Sequence, residues 1–255
     1  MPKSLRWIAP LLWLAGASRV DAQAARFPRP VAENAIGFVS ASLGIKMTST
    51  SFDATTHPVD FVETATVQST YDVPKATEFD LGAGVHVTRS VAVGVSVSRF
   101  TKGGDVSVAA QIPHPFFFNR LRPVSGTSAD LAREETGLHA RLLWVGTVAP
   151  MWIVSIGGGP SLFRIGQDLV DDITVDQAYP YDTATLRGVV ATRHTGSAVG
   201  FNIVADVTHL LTRHLGVGIA GGFSRGKVDL TTTDNQTMTV DAGGGQVGAG
   251  VRFRF

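Results

Sequence analysis

The chain has 255 residues, enough for one large β domain or two small ones, and no Pro/Gly/Ser-rich linker divides it. It contains no Cys, which excludes disulfides, thiolate metal sites and a Cys nucleophile. A formal net charge of +1 gives no whole-chain field that favours nucleic acid, and 44% hydrophobic with 17% charged residues is not a helical membrane protein's composition.

Lys3 and Arg6 precede an apolar run from Trp7 to Ala17, and small residues follow at Val20-Asp21-Ala22 and Ala22-Gln23-Ala24. This is the pattern of a secretory signal peptide over 1–24, with cleavage after Ala22 or Ala24. The run is too short to span a membrane as a helix, which takes roughly 20 apolar residues. Residues 25–35 form a short segment ahead of the first strand.

From 36 to 255 the apolar residues alternate, so each strand has one apolar and one polar face. In 36–47, Val39, Ala41, Leu43, Ile45 and Met47 oppose Ser40, Ser42 and Lys46. In 78–87, Phe79, Leu81, Val85 and Val87 oppose Asp80, Gly82, Gly84 and His86. Strands follow over 91–100 (Val91, Val93, Val95, Val97) and 135–145 (Leu138, Ala140, Leu142, Trp144, against Glu135, His139 and Arg141). Further strands cover 151–164 (Trp152, Val154, Ile156), 197–207 (Val199, Phe201, Ile203, against Asn202 and Asp206) and 215–225 (Leu215, Val217, Ile219, Phe223). The last strand, 246–255, sets Val247, Ala249, Val251, Phe253 and Phe255 against Gln246, Arg252 and Arg254.

The polar-parity face is mostly Gly, Ser and Ala with isolated charges, which suits a narrow lumen. The apolar face is uninterrupted, as lipid contact requires. Short connections (88–90, 146–150, 208–214) alternate with long ones (48–77, 101–134, 165–196, 226–242). Tight turns on one side and long loops on the other predict an all-β fold, a single antiparallel up-and-down transmembrane barrel of about eight strands. An even strand number puts both termini in the periplasm.

The C-terminal Val251-Arg252-Phe253-Arg254-Phe255, with apolar residues at every second position and Phe last, resembles the β-signal that outer-membrane proteins present to the barrel-assembly machinery. Over 36–255 the architecture resembles the small eight-stranded OmpA-like or OmpW-like barrels. That resemblance implies bacterial outer-membrane localisation and contact with outer-membrane lipid and lipopolysaccharide. It names Val251, Phe253 and Phe255 as the assembly signal. No peptidoglycan-binding domain follows the barrel, so no cell-wall tether is expected.

An eight-stranded barrel is only just wide enough for its own side chains. His86, Asp206, Arg252 and Arg254 should lie towards the periplasmic end of a lumen network, with His139, Arg141 and Asn202 nearer the middle. Asp206 is expected to face both arginines. Pairing strands 135–145 and 151–164 through a 146–150 turn would set Glu135 opposite Ser161, with His139 four residues away. That spacing fails a Ser-His-acid triad, whose members must be in hydrogen-bond contact. Arg99, Arg164 and Arg225 fall on lipid-facing parity at loop-proximal strand ends and are candidates for lipopolysaccharide phosphate. His114, Phe116, Phe117 and Phe118 in the second long loop, with Tyr179 and Tyr181 in the third, are binding candidates. Asp168, Asp171, Asp172 and Asp176 lack the spacing of a calcium loop. No cofactor or metal motif and no nucleic-acid motif is present. The expectation is a non-enzymatic structural or surface-interaction barrel with a narrow or plugged lumen. A small porin-like channel is the alternative, and a lipid-modifying enzyme the third reading.

Overall fold

The structure, a computed structural model, describes residues 35–233 and 235–255. The expected signal peptide and the segment up to residue 34 lie outside the described residues. Every regular element described is a strand: β1 (Gly37–Lys46), β2 (Thr50–Thr56), β3 (Val59–Asp60), β4 (Glu63–Thr64), β5 (Thr66–Val73), β6 (Ala76–His86), β7 (Val91–Pro113), β8 (Leu121–Ala149), β9 (Trp152–Gln177), β10 (Ala184–Leu210), β11 (Leu215–Thr231) and β12 (Thr237–Arg254). Eight of them, β1 and β6 to β12, close an antiparallel ring. The seam joins β1 to β12 from Phe38↔Arg254 to Lys46↔Gln246.

The side-chain alternation lands as the sequence predicts. Leu43, Leu81, Val95, Leu142, Ile156, Ile203, Ile219 and Val251 all point outward and are exposed. In water such a continuous apolar surface would be an association hazard. On a closed ring, whose backbone groups are paired around the circumference, it is a lipid-facing belt. Trp144, Trp152, Phe253 and Phe255 ring the end where the termini and short turns lie, as aromatics do at a bilayer interface.

All four expected long loops are mostly strand, which corrects the predicted boundaries. β7 runs on to Pro113, β8 begins at Leu121, β9 reaches Gln177 and β10 begins at Ala184. The fourth expected loop, 48–77, contains the β2–β5 hairpin, and β5 pairs with the distal part of β7. The alternation does not stop at the edge of the belt; its polarity reverses. Along β11, Leu215, Val217 and Ile219 face out near the turns, while further up Lys227 and Asp229 are exposed and Val228 and Leu230 are buried. A membrane-embedded segment puts apolar groups outside, and a water-exposed one puts them inside.

The ring opens as it leaves the belt. The β8–β9 ladder ends at Arg133↔Gln167, the β10–β11 ladder at Gly200↔Gly226, and the seam at Lys46↔Gln246. Beyond these points a four-stranded sheet (β2–β5–β7–β8) and the hairpins β9–β10 and β11–β12 surround one apolar core. Tyr71, Val106, Leu131, Phe163, Ile165, Leu169, Val228, Leu230 and Val240 fill it. The Val170 N–H donates to the Tyr71 hydroxyl at 2.7 Å, tying β9 to β5 across the core.

Candidate functional site

The seven residues expected in the lumen all project inward and form contacts, though not all the expected ones. Arg252 donates from Nε and Nη2 to Asp206 Oδ2 at 3.1 and 2.6 Å, and from Nη1 to Ser42 Oγ at 2.8 Å. Asp206 therefore takes Arg252 but not Arg254. Arg254 lies two residues nearer the end that holds the termini and short turns, and its Nη2 is 3.5 Å from His86 Nε2. Higher up, Arg141 Nε donates to Asn202 Oδ1 at 3.1 Å and Nη2 lies 3.7 Å from Asp80. Asn202 Nδ2 donates in turn to Ser161 Oγ at 3.0 Å.

The β8–β9 register differs from the sequence expectation. His139 pairs with Ser161, and Glu135 with Ile165. The turn sits at Pro150–Met151 rather than centred in 146–150, and this moves the ladder by four residues. His139 Nδ1 is consequently 2.8 Å from Ser161 Oγ, while Nε2 is 3.1 Å from Ser98 Oγ. A Ser-His contact exists, but the imidazole's second nitrogen meets a hydroxyl instead of a carboxylate. Both groups are buried in the barrel.

An ionic layer lies directly above. Lys46 Nζ is 2.9 Å from Glu135 Oε2, and both side chains are only 6% exposed. Arg133 Nη2 approaches the same oxygen at 3.4 Å and donates to the Asp241 carbonyl at 2.8 Å. The Gly243 N–H donates to Glu135 Oε1 at 2.7 Å, and Lys46 Nζ lies 4.1 Å from the centre of the Phe100 ring. Gln246, with its amide turned to donate, reaches Glu78 at 2.8 Å. Below these layers is a cavity of about 130 Å³ with a polar wall (Ser40, Asp80, Arg141, Arg252) and an apolar one (Leu143, Val145, Ile153, Val204). The sequence does not reveal this layer: Arg133 falls in the expected loop 101–134 but lies on β8, and inward parity is the only sign for Lys46, Glu78 and Glu135.

The three rim arginines lie in the middle of long strands, not at strand ends, because β7, β9 and β11 continue into the distal half. They still mark the distal edge of the belt, each the next outward residue after Val97, Leu162 or Phe223. Arg99 pairs with Glu134, and Arg225 lies 3.7 Å from Asp241. Among the described residues Arg164 has no hydrogen-bond or ion-pair partner and is exposed.

The loop candidates converge at the distal tip. Buried Arg122 holds two loops together, donating to the Pro113 carbonyl (2.8 Å), Gln177 Oε1 (2.7 Å) and the Tyr181 carbonyl (2.8 Å). Arg120 pairs with Asp182 at 2.8 Å, and Phe116 meets Tyr181 edge-on at 5.4 Å. The Asn119 N–H donates to Glu63 at 2.7 Å, bringing in the β3–β4 hairpin. His114 is buried beneath Phe117 at 4.8 Å, so it supports the tip rather than being presented by it. Phe118 and Tyr179 are 74% and 84% exposed. Sequence reasoning missed Phe61 and Val62, which form the two-residue β3–β4 turn with φ of 48° and 69° and point into solvent. Such φ values favour Asn-Gly, and each bulky residue there costs on the order of 1–3 kcal/mol.

Arg122→Ala should free both loops while leaving the barrel intact. Loss of three charge-assisted bonds, each worth about 1.5–3 kcal/mol, predicts chymotryptic cleavage after Phe116, Phe117, Phe118 and Tyr181 that is faster by at least about tenfold. Unchanged cleavage would show that the loops hold without it.

The four aspartates of the expected third loop lie on β9. Asp168 and Asp176 face Arg193 and Arg187 at 3.8 and 3.9 Å, and Asp171 faces His194 at 3.6 Å. Among the described residues no group of three or more His, Cys, Asp or Glu is arranged to hold a metal.

No protein-family model and no curated protein matches the chain. Among solved structures it is similar to Neisserial surface protein A, at 13% identity over 86% of this chain and 97% of that one, with a TM-score of 0.48. It is also similar to the outer membrane protein OprG from Pseudomonas aeruginosa, at 8% identity over 88% and 97%, TM-score 0.47. A third is the outer membrane protease OmpT from Escherichia coli, at 8% identity over 86% and 97%, TM-score 0.46. By its own closed antiparallel ring, even strand number and outward apolar belt, the chain is a β-barrel of the outer-membrane type.

Proposed function

We propose that this barrel is a sealed, non-enzymatic surface-interaction protein: a membrane-anchored stalk that holds an aromatic tip away from the cell. In this reading the termini and short turns face the periplasm, and Val251, Phe253 and Phe255, outward-facing on the seam strand, are read by the assembly machinery. The observation that carries it is the filling of the distal half. The ionic layer around Glu135 and the apolar core above it occupy the space through which a solute would pass. A second observation concerns the tip itself. At about 3.3 Å per residue, β7 beyond Arg99 carries it up to roughly 45 Å past the belt, and there the exposed apolar groups contribute nothing to the core.

The polar cavity near the terminal end is what a channel would use, so conductance is the deciding test. The refolded chain in planar bilayers should show no discrete openings while retaining a β spectrum. Reproducible openings altered by Arg252→Ala or Arg254→Ala would overturn the sealed reading and put the channel first.

A further inference from the structure

The ladder registers place the outward residues of β7, β8, β9 and β10 on a lattice. One row reads Val97, Leu138, Leu162, Val199, and the next row outward reads Arg99, Thr136, Arg164, Ser197. Above them come Thr101, Glu134, Gly166 and Thr195. The first row is the last apolar row of the belt, and the second is where a bilayer's phosphates lie. Adjacent strands are about 4.8 Å apart, so the Thr136 and Ser197 hydroxyls flank Arg164 on both sides at one level. Thr136, Leu138, Leu162, Arg164, Thr195 and Ser197 line a hollow on the outer wall. Its lower wall is apolar and its upper wall is a guanidinium among three hydroxyls.

The neighbouring cations are already neutralised. Glu134 takes both Arg99 and Arg193, and Asp168 also faces Arg193. Arg164 is the rim arginine without a carboxylate, and a guanidinium with free donors recognises phosphate through paired hydrogen bonds.

We infer that the Thr136–Arg164–Ser197 hollow binds the phosphate of a lipid in the leaflet at the distal edge of the belt, with an acyl chain of that lipid lying on Leu138, Leu162 and Val199. The inference is independent of whether the lumen conducts.

The full chain, refolded in a neutral detergent, would be titrated with diphosphoryl lipid A and with enzymatically dephosphorylated lipid A, binding being read by native mass spectrometry. The phosphorylated lipid should bind at least tenfold tighter, and Arg164→Gln should remove that preference. Arg164→Lys should keep part of it, and Arg225→Gln, two strands away on β11 and already facing Asp241, should leave it unchanged. Far-UV circular dichroism confirms that each variant is folded. Equal binding of the two lipids, or an effect of Arg225→Gln as large as that of Arg164→Gln, would overturn the site. Inorganic phosphate competing at the same concentration as the lipid would overturn the acyl-chain contact and leave a bare anion site.

Discussion

Glu135→Ala should lower the stability of the barrel by about 3–5 kcal/mol, the range for breaking a buried pair from one side. Glu135 is the carboxylate that both Lys46 and Arg133 reach, and it also accepts the Gly243 N–H. Removing it leaves two cations and an amide facing each other in a closed interior. The Lys46–Glu135 pair itself need not be a large net contributor, since desolvation offsets much of its attraction. The informative comparison is therefore a double-mutant cycle with Lys46→Met and Glu135→Gln. The double variant should be less damaged than the sum of the two singles. Urea-unfolding midpoints in detergent measure this; additive losses, or a Glu135→Ala loss below about 1 kcal/mol, would mean the layer is hydrated and does not close the lumen. Glu135→Ala combined with the conductance recording would also show whether this layer is the seal.

Gly250→Val should prevent the ring from closing. Gly250 is opposite Ser42 on β1 and Gly218 on β11, at a point where the strands approach closely. A Cβ placed there would fall inside van der Waals contact of the Ala41 carbonyl oxygen and 2.6 Å from the Ser42 Cα. Both are backbone atoms, so no rotamer change relieves the clash. The β1–β12 ladder is the closing seam, and a lost ladder exposes two strand edges to lipid, where unpaired amides cost several kcal/mol each. Refolding into detergent should yield little or no folded product by circular dichroism and tryptophan fluorescence. Gly245→Ala is the control, because a Cβ there meets nothing closer than Thr48 Oγ1 at 3.9 Å. Equal refolding yields for Gly250→Val and Gly245→Ala would mean that the seam is looser than its geometry implies.

Some of this architecture can be read strand by strand. The alternation in Val91-Ala92-Val93-Gly94-Val95 and in Val251-Arg252-Phe253-Arg254-Phe255 identifies strands with one apolar face, and small residues on the other face identify a narrow interior. The extension of β7 to β12 was equally present, in Val106, Val108, Ala110 and Ile112 and in Val228 and Leu230. The alternation of short and long connections reads these stretches as loops, because the apolar phase of the membrane segment does not continue into them. The reversed phase is the signature of strands leaving the membrane, and it converts the expected loops into a filled stalk. Among the candidate residues, the structure turns the lumen set inward and the rim arginines outward. His114 was not legible as a buried residue, since nothing in Pro113-His114-Pro115 shows that Phe117 folds over it.

By itself, then, the sequence determined which residues lie on the same face of each strand, which face meets lipid near the turns, and that the last strand ends in an aromatic, apolar edge. These are local consequences of a two-residue period, and any single strand contains them. Partnership is not local. Lys46 and Glu135 lie 89 positions apart, and a turn centred a few residues later puts His139, not Glu135, against Ser161. Only the closed ring decided that Arg252 rather than Arg254 holds Asp206, that Glu134 neutralises Arg99, and that Arg164 is left open. The physical reason is that parity follows from the chain's own geometry, whereas the identity of a facing charge depends on the stagger between strands, which closure of the barrel sets.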